Sequence, residues 1–192
     1  MATQPRLKQH YDEKVVPMLK EKFSITNAYA VPKLDKIVIS MGLGKAVSAG
    51  EKAKLDQAEK ELTRIAGQKC VRIKAKKSVA AFKIREGQET HLKVTLRGAR
   101  MYEFLDRLIN LAIPRVKDFR GLPTKGFDKQ GNYTFGLTEQ TVFPEIDSAA
   151  IQFTQGMHIT LVNTGSNVEE GRALLDGFDF PFRKPEKDAK AA

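Results

Sequence analysis

Between Lys69 and Arg100 the chain gathers ten basic residues, Lys69, Arg72, Lys74, Lys76, Lys77, Lys83, Arg85, Lys93, Arg97 and Arg100, against Glu86 and Glu89, a net of +8 in a chain whose total is +10. Cations at that density neutralise phosphates and release the counterions condensed on a polyanion, so the chemistry they offer is nucleic-acid binding. The other chemical candidates are thinner. Gly42-Leu43-Gly44-Lys45 touches on a nucleotide loop, but a phosphate loop needs two widely spaced glycines followed by Lys and Ser or Thr, and this segment has neither. Cys70 and His91 would make a nucleophile and base only if two strands set them side by side, and a strand cysteine is more often a buried, inert thiol. Glu103, Asp106 and Asp118 are scattered as helix-surface charges or caps are, not paired as an acid and a base. His10, His91 and His158 have a single cysteine to join them, which leaves no metal-ligand spacing and implies no cofactor. The residues point to a binding protein and not to an enzyme.

The whole chain agrees with that reading. Its 192 residues are 41% hydrophobic and 29% charged, enough apolar content for one core. Residues 1–184 are expected to form a single RNA-binding domain that opens on an N-terminal helix, and residues 185–192 a polar, flexible tail. The lone Cys70 allows no internal disulfide, as in cytoplasmic proteins. No apolar run reaches about 18 residues and the first residues carry no signal-peptide stretch, so no membrane is expected as a partner. No homo-oligomer is expected either.

The elements that must position the cations follow from hydrophobic period. Residues 6–23 place Leu7, Tyr11, Val15, Met18 and Leu19 near helical spacing, with a bend at Pro17. Residues 36–41 alternate as a first strand with Ile37, Ile39 and Met41 inward. Residues 51–66 put Leu55, Ala58, Leu62 and Ile65 on one helical face, and Gly67 ends that helix. Residues 70–75 read as a second strand with Val71, Ile73 and Ala75 inward, and residues 90–97 as a third, antiparallel to it, with Leu92, Val94 and Leu96 inward. Residues 100–112 form a further helix that Pro114 stops. Residues 114–140 read as a long loop, functional or mobile, with one short strand. Residues 157–163 alternate as another strand, and residues 168–178 read as a last helix despite Gly171 and Gly177.

This order predicts an α+β fold, an antiparallel sheet with helices packed on one face in an RRM-like split βαβ arrangement, the other face open to RNA. Strand parity then sets Lys36, Val38 and Ser40, Arg72 and Lys74, and His91, Lys93, Thr95 and Arg97 on the open face. Those side chains lack the Phe and Tyr platforms that stack single-stranded bases. Short hydroxyl and amide groups beside cations suit the minor groove and sugar hydroxyls of a folded RNA.

The runs KKSVAAFKIREGQ, KVTLRG, RVKDFRGL, FDKQGNYTFGL, QTVFPEI and EEGRALLDGFDFPFRK, in this order, resemble the bacterial form of the fifth universal large-subunit ribosomal protein family. The resemblance spans residues 7–184. It implies a structural component of the central protuberance that binds 5S rRNA, helps attach it to 23S rRNA, meets neighbouring large-subunit proteins and reaches P-site tRNA. It also implies an intersubunit bridge to a small-subunit head protein, in the region of residues 114–140. The family's polar contacts on the open face fall at Ser40, Gln68 and Thr95; Gln68 and Thr95 match, while Ser40 stands where the family has Asn. Lys36, Arg72, Lys74, Lys93 and Arg97 flank them as rRNA-binding cations. The loop KKSVAAFKIREG resembles the family's tRNA-contact loop, with Lys76, Lys77, Ser78, Lys83 and Arg85 at its polar positions and Ala81 where a glycine is common. The competing reading is an RNA chaperone or nucleic-acid-binding protein outside the ribosome.

Overall fold

The computed structural model of the chain describes residues 4–147, 151 and 153–183. The expected tail at 185–192 lies outside them. The N-terminal segment runs as α1 (Arg6–His10), one π turn (Tyr11–Val15) and α2 (Val16–Phe23). The wider π turn comes just before Pro17 and accommodates its ring and missing N–H, so the helical course continues through it. Strand β1 (Leu34–Gly42) follows, then the short α3 (Gly44–Ser48) and the long α4 (Lys52–Ala66), which Gly67 closes in the left-handed region at φ 62°. Next come β2 (Val71–Lys74), β3 (Glu89–Leu96) and α5 (Gly98–Arg107), which passes through a π turn (Leu108–Ala112) into a 3-10 turn holding Pro114. Strands β4 (Tyr133–Leu137) and β5 (Met157–Asn163) and helix α6 (Val168–Gly177) complete the order.

The strands form one antiparallel sheet in the order β2-β3-β1-β5-β4. Strand β3 lies between β1 and β2, which α4 connects, and that is the split βαβ unit the alternation predicts. Ile37, Ile39 and Met41 of β1, Leu92, Val94 and Leu96 of β3, and Ile159 and Leu161 of β5 are buried on one side of the sheet. The inner faces of the helices supply Leu55, Leu62, Ile65, Phe104, Leu105, Leu108, Leu174 and Leu175 to the same core. Each such side chain contributes about 1.5–3 kcal/mol over an exposed one, so this layer fixes the strand parity in the centre of the sheet.

One expectation is corrected. Strand β2 has the opposite parity: Val71 pairs with Lys93 and Arg72 with Leu92, so Arg72 points to the helices while Val71 is 65% exposed on the open face. Residues 114–140 carry the one short strand expected of them, β4, and the stretch is stapled to the rest of the fold. Phe127, Tyr133, Phe180 and Phe182 cluster with ring centroids 4.7–5.7 Å apart, and the Tyr133 hydroxyl donates to the Pro123 carbonyl at 2.8 Å. The Asp128 carboxylate accepts from the Gln130 and Asn132 backbone N–H groups and the Asn132 amide at 2.8–3.0 Å. Gly171 marks where α6 meets the turn at Gly131 so closely that a Cβ would strike the Gly131 carbonyl oxygen, which is why a glycine sits inside that helix.

Candidate nucleic-acid interface

With the helices on one side, the other face of the sheet shows Lys36, Val38 and Ser40 from β1, His91, Lys93 and Thr95 from β3, and His158, Thr160 and Val162 from β5. Ser40 lies opposite Lys93 on one neighbour and His158 on the other; Val38 lies opposite Thr95 and Thr160. Lys36 has Asp35 at 3.4 Å, whereas the Lys93 ammonium and the Ser40 and Thr95 hydroxyls make no side-chain hydrogen bond or ion pair among the described residues. A cation in that state is free to meet an anion from outside. Gln68, the residue after the left-handed Gly67, donates from its amide to the Thr95 carbonyl at 3.2 Å, and Arg100 reaches the Gln68 amide oxygen at 3.4 Å. Gln68, Thr95 and Ser40 therefore lie on or beside one surface, with Arg97 exposed at the start of α5.

Arg72 and Lys74 do not belong to it. Arg72 donates to Glu59 (Nε–Oε2 2.7 Å), Asp56 (2.7 Å) and Glu89 (3.1 Å), the first two being side chains of α4. The hydrogen bonds to Glu59, Glu89 and Asp56 hold the guanidinium above its usual range. Lys74 lines the same helix-side cleft with Lys52 and Asp56. The physical reason is the position of β2 at the sheet edge, beside the acidic flank of α4 and away from its apolar stripe. There Arg72 finds three carboxylates, and the aliphatic side chains of the strand are left outward.

Cys70 shares the inward parity. Its thiol lies against α4, donating to the Glu59 carbonyl at 3.8 Å, and burial pushes its titration up. His91 is on the opposite face of the sheet, so the two make no nucleophile and base. Among the described residues no group of three or more His, Cys, Asp or Glu is placed to hold a metal ion, and no helix is long and apolar enough to cross a membrane.

A family model described as ribosomal protein L5 matches residues 27–85, and another described as the ribosomal L5P family C-terminus matches residues 89–182. Curated proteins named "Large ribosomal subunit protein uL5" from Streptococcus thermophilus, Streptococcus suis and Streptococcus pneumoniae are each 52% identical over 179 residues, covering 93% of this chain and 98% of theirs. The chain belongs to the ribosomal protein L5 family. The two L5 family matches meet in the hairpin between β2 and β3, yet both contribute strands to a single sheet.

That hairpin of the L5 chain carries Lys76, Lys77, Lys83 and Arg85. Its base is tied by Ala75 N–H to the Gln88 carbonyl (2.8 Å) and Gly87 N–H to the Ala75 carbonyl (3.0 Å), and its middle by a Val79–Ile84 bridge. A 3-10 turn, Ala80–Phe82, forms the tip, followed by Lys83 at φ 53°. Ala81 lies within this turn at negative φ, so the backbone there does not require glycine. Lys76, Lys77, Lys83 and Arg85 are all exposed. Ser78 is exposed too, but its hydroxyl accepts from the Glu86 N–H at 2.9 Å and so helps to hold the loop. Phe82 is 69% exposed at the tip, and His158, Thr160 and Thr134 extend the open face. The alternation of residues 157–163 contained the signal for His158 and Thr160; the exposure of Phe82 had none.

Proposed function

We infer that the chain is a structural protein of the large ribosomal subunit whose open sheet face holds 5S rRNA and helps attach it to 23S rRNA in the central protuberance. One observation carries this: in a member of a ribosomal protein family, Lys93, without a partner among the described residues, stands opposite Ser40 and beside Thr95 on a sheet face that none of the described helices covers. A cation with short hydrogen-bonding groups on both sides matches a phosphate followed by sugar hydroxyls along a folded RNA backbone. Ser40, Gln68, Thr95, Lys36, Lys93 and Arg97 are the contact residues of this reading; Arg72 and Lys74 lie on the helix side instead, Arg72 tied to α4. Residues 1–184 act as one RNA-binding unit.

The hairpin, with Lys76, Lys77, Lys83 and Arg85 around an exposed tip, serves a second RNA, the elbow of P-site tRNA. Residues 114–140 face the small-subunit head. The first rests on the family resemblance together with the exposure of the hairpin cations, the second on the resemblance.

The test is the affinity of purified variants for 5S rRNA. Thr95→Ala and Gln68→Ala each weaken binding; wild-type affinity in both would remove the proposed face. The pair Lys76→Ala with Lys77→Ala keeps 5S rRNA binding and weakens contact with tRNA on assembled subunits. Cosedimentation with large subunits through a high-salt wash separates this reading from a free RNA chaperone, which would be washed off.

A further inference from the structure

At the end of the open face lies a recess lined by Ser40, Gly42, His91, Gly136, Gln155 and His158. Its floor is bare backbone. Gly42 lies opposite His91, and Gly136 opposite His158, in the strand register. A Cβ on Gly42 would sit 3.5 Å from His91 Nε2 and 3.6 Å from its Cδ2; one on Gly136 would sit 3.5 Å from His158 Nδ1 and 3.7 Å from its Cε1. Each imidazole thus leans over the glycine of the neighbouring strand, and both histidines remain exposed. The Thr90 hydroxyl lies 2.9 Å from His91 Nδ1 and fixes that ring.

The polar rim is also built. Gln140, fully buried, donates to the Phe153 carbonyl at 2.8 Å and accepts from the Gln155 N–H at 2.6 Å, which sets Gln155 in place. The Gln155 amide donates to the Gly42 and Gly156 carbonyls, both at 3.1 Å, so its NH2 is used and its oxygen has no protein partner among the described residues. The recess therefore holds two aromatic rings, a fixed acceptor and the Ser40 hydroxyl, with the Lys93 cation opposite Ser40.

We propose that this recess receives one unpaired nucleobase of the RNA held on the open face, stacked against His91 and His158, with its edge toward Gln155 and Ser40 and its phosphate toward Lys93. A paired base cannot enter, because its faces are already covered by its neighbours in the helix; a bulged or loop nucleotide can. Aromatic faces accept any base, and the amide oxygen and hydroxyl add edge preference. This rests on the RNA-holding role of the open face, and it gives that face a stacking contact made by histidines in place of Phe and Tyr.

The experiment uses the full chain and transcribed 5S rRNA as the probe, with dissociation constants measured across a salt series and dimethyl sulfate reactivity of the bound RNA. The double variant His91→Ala with His158→Ala raises the dissociation constant by roughly 5- to 100-fold. Its salt slope stays that of the wild type, because no phosphate contact is lost. One unpaired base that the wild type protects becomes reactive. His91→Phe with His158→Phe keeps the stacking surface and restores both affinity and protection. Wild-type affinity and protection in the alanine variant overturn the base recess. If Lys93→Ala then still weakens binding, the RNA-holding face stands without it; if Lys93→Ala and Thr95→Ala also bind as wild type, the face itself is wrong.

Discussion

The centre of the sheet and its β2 edge carry the same kinds of residue in the same alternation, yet they dispose of their cations in opposite ways. Lys93 in β3 projects from a strand whose other side is locked into the core by Leu92 and Val94, and it meets no carboxylate among the described residues. Arg72, directly opposite Leu92 on the next strand, turns to the helix side and is held by Asp56, Glu59 and Glu89. A count of positive residues treats the two as equal. What separates them is the element behind each strand, an apolar layer in one case and the acidic flank of a helix in the other. Only a cation without an internal partner can release counterions from a nucleic acid at no internal cost.

Charge reversal at the two positions gives the largest contrast. Arg72→Glu sets a fourth carboxylate among three and lowers stability by about 2 kcal/mol, a figure kept below that of a fully buried pair because the side chain is a third exposed. A shifted urea midpoint with an unchanged slope would show it. The folded fraction keeps its 5S rRNA affinity. Lys93→Glu does the reverse: stability stays within about 0.5 kcal/mol, while RNA affinity drops and the slope of log affinity against log salt falls by about 0.7–0.9. Exchange of these two outcomes would break the comparison.

The edge can next be made to resemble the centre. Val71 faces outward beside Lys93, so Val71→Lys adds a cation where the alternation had been expected to supply one. The salt slope should rise by about 0.7–0.9 with little change in unfolding. An unchanged slope would mean that bound RNA stops short of β2.

The success of the periodicity in β1, β3, β5, α4 and α5, and its failure in β2, have one cause. Where a strand is packed against helices, burial of Ile37, Ile39, Leu92 or Ile159 decides parity, and apolar alternation reports it directly. Strand β2 has four residues and an edge position, and its parity comes from its pairing with β3. The shift between Ile73 and Lys74 in that pairing, and the fold of the hairpin loop, left no mark in hydrophobic period. The acidic residues Asp56 and Glu59 on α4 did carry a signal, a counter-charge awaiting a basic strand. Likewise Phe180 and Phe182 stand two residues apart in the sequence, but their partners Phe127 and Tyr133 lie far off in it, and so residues 114–140 read as a loop. Of the candidate site, Ser40, Lys93 and Thr95 were legible because they sit in the well-packed strands.

A smaller effect belongs to Ser40. Its half-buried hydroxyl lies between Lys93 and His158 and offers one donor, where an amide offers two and reaches further. Ser40→Asn should tighten 5S rRNA binding by the equivalent of one hydrogen bond, about 0.5–1.5 kcal/mol, and leave the salt slope as it is. A loss of affinity would place the RNA backbone too close to β1 for a longer side chain.

The smallest effect probes the seam that takes Arg72 away from the open face. Cys70 lies on that seam, its thiol against α4 and pushed above the ordinary thiol value chiefly by burial. The native advantage from that shift is complete below the unfolded thiol's value and declines as pH climbs through the folded one, so Cys70→Ala should lose slightly less stability than the wild type at alkaline pH. Alkylation of the native protein near pH 8 should accordingly be slow, and unfolding in urea should make it fast. In Arg72→Glu, repulsion from Asp56 and Glu59 loosens β2 from α4, and alkylation under native conditions should accelerate while Lys93→Glu leaves it unchanged. Equal rates in the two variants would show that the carboxylates of α4 do not hold the edge strand, and the contrast between Arg72 and Lys93 would then have to come from β3 alone.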